Sequence, residues 1–110
     1  MKTTTKLAIA GLSLAFATSA YAAPAADNWD NNCAKCHSAD GSGNGKIGKK
    51  LKLKDYTDAA VQADLKDDEM VKTIKEGVSE GGKQKMKAFK DDFSDPEIND
   101  LVAYIRKMKK

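Results

Sequence analysis

The sequence predicts an all-α domain of about four to five short helices gathered around a covalently bound group. Three observations carry this expectation. Apolar residues recur at helical spacing between start and stop signals over 67–77 and again from 94 onward. No convincing strand is found beyond the leader. The 2 cysteines and the 1 histidine of the chain all fall in Asn32-Cys33-Ala34-Lys35-Cys36-His37, the attachment pattern of a c-type haem. Two thiols three positions apart can each add to a haem vinyl group, and the histidine that follows is placed to ligate the iron.

The leader comes first. Lys2 and Lys6 precede an uncharged apolar run from Leu7 to Ala20, and Ala20-Tyr21-Ala22 is an Ala-x-Ala cleavage box. The run is about fourteen residues, short of the roughly 20 that span a membrane. Residues 1–22 are therefore expected to be a cleaved signal peptide and 23–110 a single domain, periplasmic and without stable membrane insertion. Lys2 and Lys6 leave with the leader, so the mature chain is nearly neutral and its charge gives no support to a nucleic-acid partner. A domain this small often needs a staple, which one covalently held haem c and its iron would supply.

An oxidising compartment would otherwise favour a disulfide between Cys33 and Cys36. A redox-active Cys-x-x-Cys usually follows a strand, and none is evident here. Structural zinc needs four ligands, and no further Cys or His exists to complete them.

Within the mature chain, residues 25–36 read as one short helix, with Asp27 in its opening turn and Trp29 on the same face as Cys33. Gly41, Gly43, Asn44 and Gly45 turn the chain in a loop. That loop is expected to pass beneath His37 so that a backbone carbonyl near Ile47 or Gly48 accepts the free ring N–H. Residues 46–54 alternate lysine with Ile47, Leu51 and Leu53 and read as an extended segment against the haem edge. A short helix over 57–64 follows, then one beginning at Asp67 as N-cap and stopped by Gly77. Residues 78–92 show no period and read as a long loop, uncommon unless functional. Ser94 and Glu97 form a capping box for a last helix of about fourteen residues, with Ile98, Leu101, Val102 and Ile105 on one face.

The function turns on the sixth iron position. Filled, it implies electron transfer; open, it permits ligand binding or catalysis. The candidates are Met70, Met86, Met108, a lysine, or no side chain. Met70 shares a helical stripe with Val71 and Ile74 and reads as core, and Met108 sits at a frayed end. Met86 lies in an irregular loop before Phe89 with no other evident use, which favours it over a plain surface methionine.

Taken together, Trp29, the Cys33 to His37 motif, Asp40-Gly41-Ser42-Gly43, Gly48-Lys49-Lys50-Leu51, Gly77, Met86 with Phe89, and Leu101-Val102-Ala103-Tyr104-Ile105 resemble a class I cytochrome c. They are most similar in pattern to the small bacterial monohaem type of the c6 and c553 group. The resemblance implies the cytochrome c fold, haem binding through Cys33, Cys36, His37 and Met86, and iron ligation by His37 and Met86. It also implies that Trp29 and Tyr104 pack where the first and last helices cross. Two departures stand out: Lys87 follows Met86 where the family commonly has proline, and the proline that often lends its carbonyl to the histidine is missing.

The expected function is that of a monohaem electron carrier, not an enzyme, which shuttles single electrons between redox protein partners, some with acidic docking surfaces. The chain is expected to act as a monomer. The alternative is a haem-based sensor or small-ligand binder with a displaceable sixth ligand.

Overall fold

The computed structural model describes residues 8, 10–13 and 23–110. Most of the expected signal peptide, including its cleavage box, lies outside the described residues. Among the described residues, no helix is long and apolar enough to cross a membrane.

The expected first helix is two. Helix α1 (Ala25–Asn32) stops at Cys33, and α2 (Ala34–His37) resumes directly after it. At the break the Cys36 N–H donates to the Cys33 carbonyl at 3.2 Å, a tighter i to i−3 turn, and just before it the Asn32 side-chain amide donates back to the Asn28 carbonyl at 3.0 Å. Backbone bonds from Cys33 to Trp29 and from His37 to Cys33 nevertheless carry the helical path through the break.

The stretch read as extended begins instead with a helix, α3 (Lys46–Leu51), ended by Lys52 in a left-handed conformation at φ 55°. Ile47 and Leu51 are four apart, so they share a helix face as readily as they would share a strand face. Packing against α2 decides for the helix. Helix α4 (Ala59–Asp64) is capped by Asp58, whose carboxylate accepts from the Ala60 N–H at 2.8 Å.

In α5 (Asp67–Glu76) the N-cap is Lys66 and not Asp67. The Asp67 carboxylate is engaged elsewhere, accepting from Arg106 Nε at 2.8 Å.

The expected long loop contains a hairpin. Strands β1 (Val78–Glu80) and β2 (Lys83–Met86) pair antiparallel, with Val78 opposite Met86 and an irregularity between Val78 and Ser79. Gly81 and Gly82 both have positive φ, 56° and 75°, the backbone that a two-residue primed turn requires. The hairpin is exposed until Met86, which is half-buried.

Helix α6 (Asp95–Arg106) carries the capping box as expected, in both directions between Ser94 and Glu97. It is 12 residues long, shorter than expected. Beyond it the chain is drawn away, and the Lys110 N–H donates to the Thr57 carbonyl at 3.0 Å.

The core is built where α6 meets α1 and α5. Trp29, Ile98 and Leu101 are fully buried within it, with Met70, Ile74, Val102 and Ile105 around them and the stacked pair Phe89 and Phe93 at one end. Each such aliphatic side chain contributes about 1.5–3 kcal/mol on burial. The crossing implied for Trp29 and Tyr104 is present, with their rings 6.0 Å apart.

Candidate functional site

The turn of α2 brings Cys33, Cys36 and His37 to one side, since residues three and four apart are neighbours on a helix. Both thiols are free and half-buried. Burial, helped by the charge of Cys36, pushes the Cys33 thiol up to about 11. Burial holds the His37 imidazole below its ordinary value, so at neutral pH the ring is uncharged, the form that binds a metal.

His37 does not receive the carbonyl expected from Ile47 or Gly48. Its Nδ1 is buried and has no hydrogen-bond partner among the described residues. Gly48 does approach closely, and a Cβ there would collide with the carbonyls of Gly43 and Cys36. Its own carbonyl is committed to the Leu53 N–H at 2.9 Å.

Two rings lie against His37. Tyr56 stacks on His37 at 5.4 Å with 22° between the planes, and Trp29 lies at 5.7 Å and 43°. Trp29 is tethered in turn by its Nε1, which donates to the Ser38 carbonyl at 3.1 Å. Burial, with a smaller contribution from the Cys33 charge, raises the Tyr56 phenol above its ordinary value.

Met86 is positioned by backbone. Gly77 ends α5 at φ 72° and ψ −170°, a region open essentially to glycine alone, and a Cβ there would meet the Met86 carbonyl and the Ala88 nitrogen. Just beyond, the Phe89 N–H donates to the Ile74 carbonyl at 2.9 Å and the Lys90 N–H to that of Lys75 at 3.3 Å. Lys87 pairs with Asp92 at 3.0 Å and lies over the Phe89 ring.

Cys33, Cys36, His37 and Met86 come together on one cavity of about 960 Å³. Leu51, Leu53, Leu65 and Ile74 give it apolar wall, and Lys35, Lys50, Lys52, Lys85, Glu69 and Glu80 also line it. Met70 lines it as well, but as part of the buried core cluster. Met108 does not; its sulfur packs against Gly41. Tyr56 is the site residue that sequence reasoning missed, because nothing in its local pattern signals a contact with His37.

A profile of the family described as cytochrome c oxidase, cbb3-type, subunit III matches residues 20–105. The chain belongs to this family, as a small class I cytochrome c. Among solved structures this cytochrome is similar to the KustC0563 c-type cytochrome, at 28% identity and a TM-score of 0.67, covering 78% of this chain and 98% of that one. A tyrosine-to-phenylalanine variant of the same protein matches at 27% identity and a TM-score of 0.68, covering 78% of this chain and 99% of the other. No curated protein matches.

Such cytochromes are haem-binding electron carriers, and the cofactor of this one is haem c, covalently bound, with its iron. The residues fit that group. The cavity has an apolar wall, two free thiols and an uncharged imidazole whose second nitrogen is buried without a partner among the described residues.

Proposed function

We propose that the chain is a monohaem carrier that passes single electrons between redox proteins, with Cys33 and Cys36 as the thioether residues and His37 and Met86 as the iron ligands. Bound haem supplies one-electron exchange between ferric and ferrous iron. The observation that carries the proposal is the shared cavity, lined by both the attachment motif and Met86.

The chain's own residues do the rest. The His37 ring enters neutral because its burial disfavours the imidazolium. The Met86 thioether, uncharged and soft, favours the reduced state. Leu51, Leu53, Leu65 and Ile74 keep water from the group and act in the same direction. With His37 and Met86 both held to the iron, no coordination site would be left open to substrate, which favours a carrier over an enzyme.

Lysines 35, 50, 52 and 85 at the cavity favour acidic partner surfaces, with association that slows as salt rises. Further parts of the proposal are export to the periplasm with removal of residues 1–22, a single domain over 23–110 and a monomeric state. Mass analysis of the mature protein tests the cleavage.

The ligand set is tested by absorption spectra of haem-loaded protein in both oxidation states, for wild type and Met86→Ala. Loss of the methionine-to-iron band in Met86→Ala, with new carbon monoxide binding to the ferrous form, is expected. An unchanged spectrum would remove Met86 from the iron, and tight carbon monoxide binding by the wild type would favour a sensor.

A further inference from the structure

We infer that Tyr56 sets the ring plane of His37, and that Gln62 with Arg106 holds Tyr56 in place to do so. The inference rests on the proposal that His37 is an iron ligand.

A ligand imidazole normally has its orientation set by a hydrogen bond from its second nitrogen. Here that nitrogen has no acceptor among the described residues. The torsion that turns an imidazole about its Cβ–Cγ bond is intrinsically broad, so something else must hold the plane. Of the two rings against His37, Tyr56 is the nearer to parallel, at 22° against 43° for Trp29.

Tyr56 is in turn held at both of its backbone polar groups. Its N–H donates to the Gly41 carbonyl at 2.9 Å, and its carbonyl accepts from Gln62 Nε2 at 2.7 Å. Gln62 is buried, at 6% exposure. Its Nε2 also donates to the Ile105 carbonyl at 2.8 Å, and its Oε1 accepts from the Arg106 guanidinium at 3.2 Å. Arg106 donates further to the Gln62 and Leu65 carbonyls, at 2.6 and 2.7 Å.

The amide is thus satisfied on both its nitrogen and its oxygen, and it ties α4, α6 and the residue stacked on His37 into one network. Burying an amide costs free energy that an apolar side chain of similar size would not. A leucine could pack α4 on α6; only the amide also fixes the Tyr56 carbonyl. Gln62 does not line the cavity, whereas Tyr56, Ile105 and Leu65 do, so any effect it has at the iron must pass through these residues, and Tyr56 is the one that touches His37. Both are positioning residues.

The test uses ferric holoprotein and the proton resonances of the haem methyl groups, whose order and spread report the plane of an axial ligand. Tyr56→Phe should keep the wild-type order, because the stack needs the ring and not the hydroxyl. Tyr56→Leu and Gln62→Leu should lose that order and shift the midpoint potential, while the methionine-to-iron band is retained. Gln62→Glu, which keeps the acceptor for Arg106 but loses the donor to Tyr56, should resemble Gln62→Leu.

Wild-type order in Tyr56→Leu, with only a lower Tm, would overturn the inference and leave Tyr56 as core. If Tyr56→Leu does not fold, Gln62→Leu decides in the same way. Failure of the underlying ligand assignment looks different: in His37→Gly, attached haem would show unchanged axial ligation, whatever the Tyr56 variants do.

Discussion

His37 sits between the buried Trp29 and the half-buried Tyr56, whose neighbours are tied to three helices, whereas Met86 ends an exposed two-stranded hairpin and is placed largely by main chain, with its side chain at the edge of the core. On the His37 side, the contacts are the Tyr56 stack, the Trp29 ring and the Trp29 bond to the Ser38 carbonyl. On the Met86 side they are the Gly77 approach and the Phe89 bond to Ile74. The difference is between a wall made by side-chain packing, which resists local opening, and one made by a few backbone contacts, which opens at lower cost. On the proposed ligation, the site should therefore loosen first at Met86.

The comparison can be broken most severely through Trp29. Trp29→Ala removes the centre of the core along with its bond to Ser38, and should cost about 3–5 kcal/mol in denaturant unfolding. Next comes Gly77→Ala, where a backbone region closed to other residues costs about 1–3 kcal/mol before the collision with Met86 is counted. It should abolish the methionine-to-iron band while the haem stays attached. Gly81→Ala is its control, since a Cβ there meets nothing and only its positive φ is penalised. It should cost about 1–2 kcal/mol and leave the band intact; equal loss of the band in both would refute the role given to Gly77.

Smaller effects sharpen the picture. The Lys87 and Asp92 side chains are 64% and 43% exposed, so Lys87→Ala should change stability by less than about 1 kcal/mol. A large loss of the methionine band in that variant would show that the ion pair does the stiffening that a proline does in relatives.

Acid acts where α6 meets α1, through Glu97. Its carboxyl is held below the usual carboxylate range by the Ser94 N–H, then by the Ser94 hydroxyl, with Asn28 of α1 a lesser donor. A lowered folded-state value stabilises above the ordinary carboxylate range and fades as pH falls through the lowered one. Glu97→Gln should flatten this acid limb of the Tm against pH curve by a small amount; an unchanged limb would assign it to other carboxyls.

What could be read from the sequence was local. Cys33 to His37, the capping box at Ser94 and the stop at Gly77 each involve residues within a few positions of one another, and the structure has all three. The hairpin was missed: Gly81-Gly82 is a turn signal, but the lysines on both sides carry no strand-like alternation, and 78–92 read as a loop. The α3 helix was not readable, because Ile47 and Leu51 satisfy a period of two and a helical spacing alike. The Tyr56 and Gln62 network was beyond reach, since Gln62 meets the Ile105 carbonyl at a separation of 43 residues. The missing acceptor at His37 follows from the same limit, as it depends on where the Gly48 carbonyl is spent.

The packing of α1 on α6 also orders events in time. Chains are made from the N-terminus, so the segment carrying Cys33, Cys36 and His37 exists before Leu101 and Ile105 are available to cover it. Closing so long a loop adds little free energy beyond closing a shorter one, but contacts this distant in sequence slow folding. The thiols that folding will half-bury therefore have an interval in which they are open, and the last helix to be made is the one that ends it.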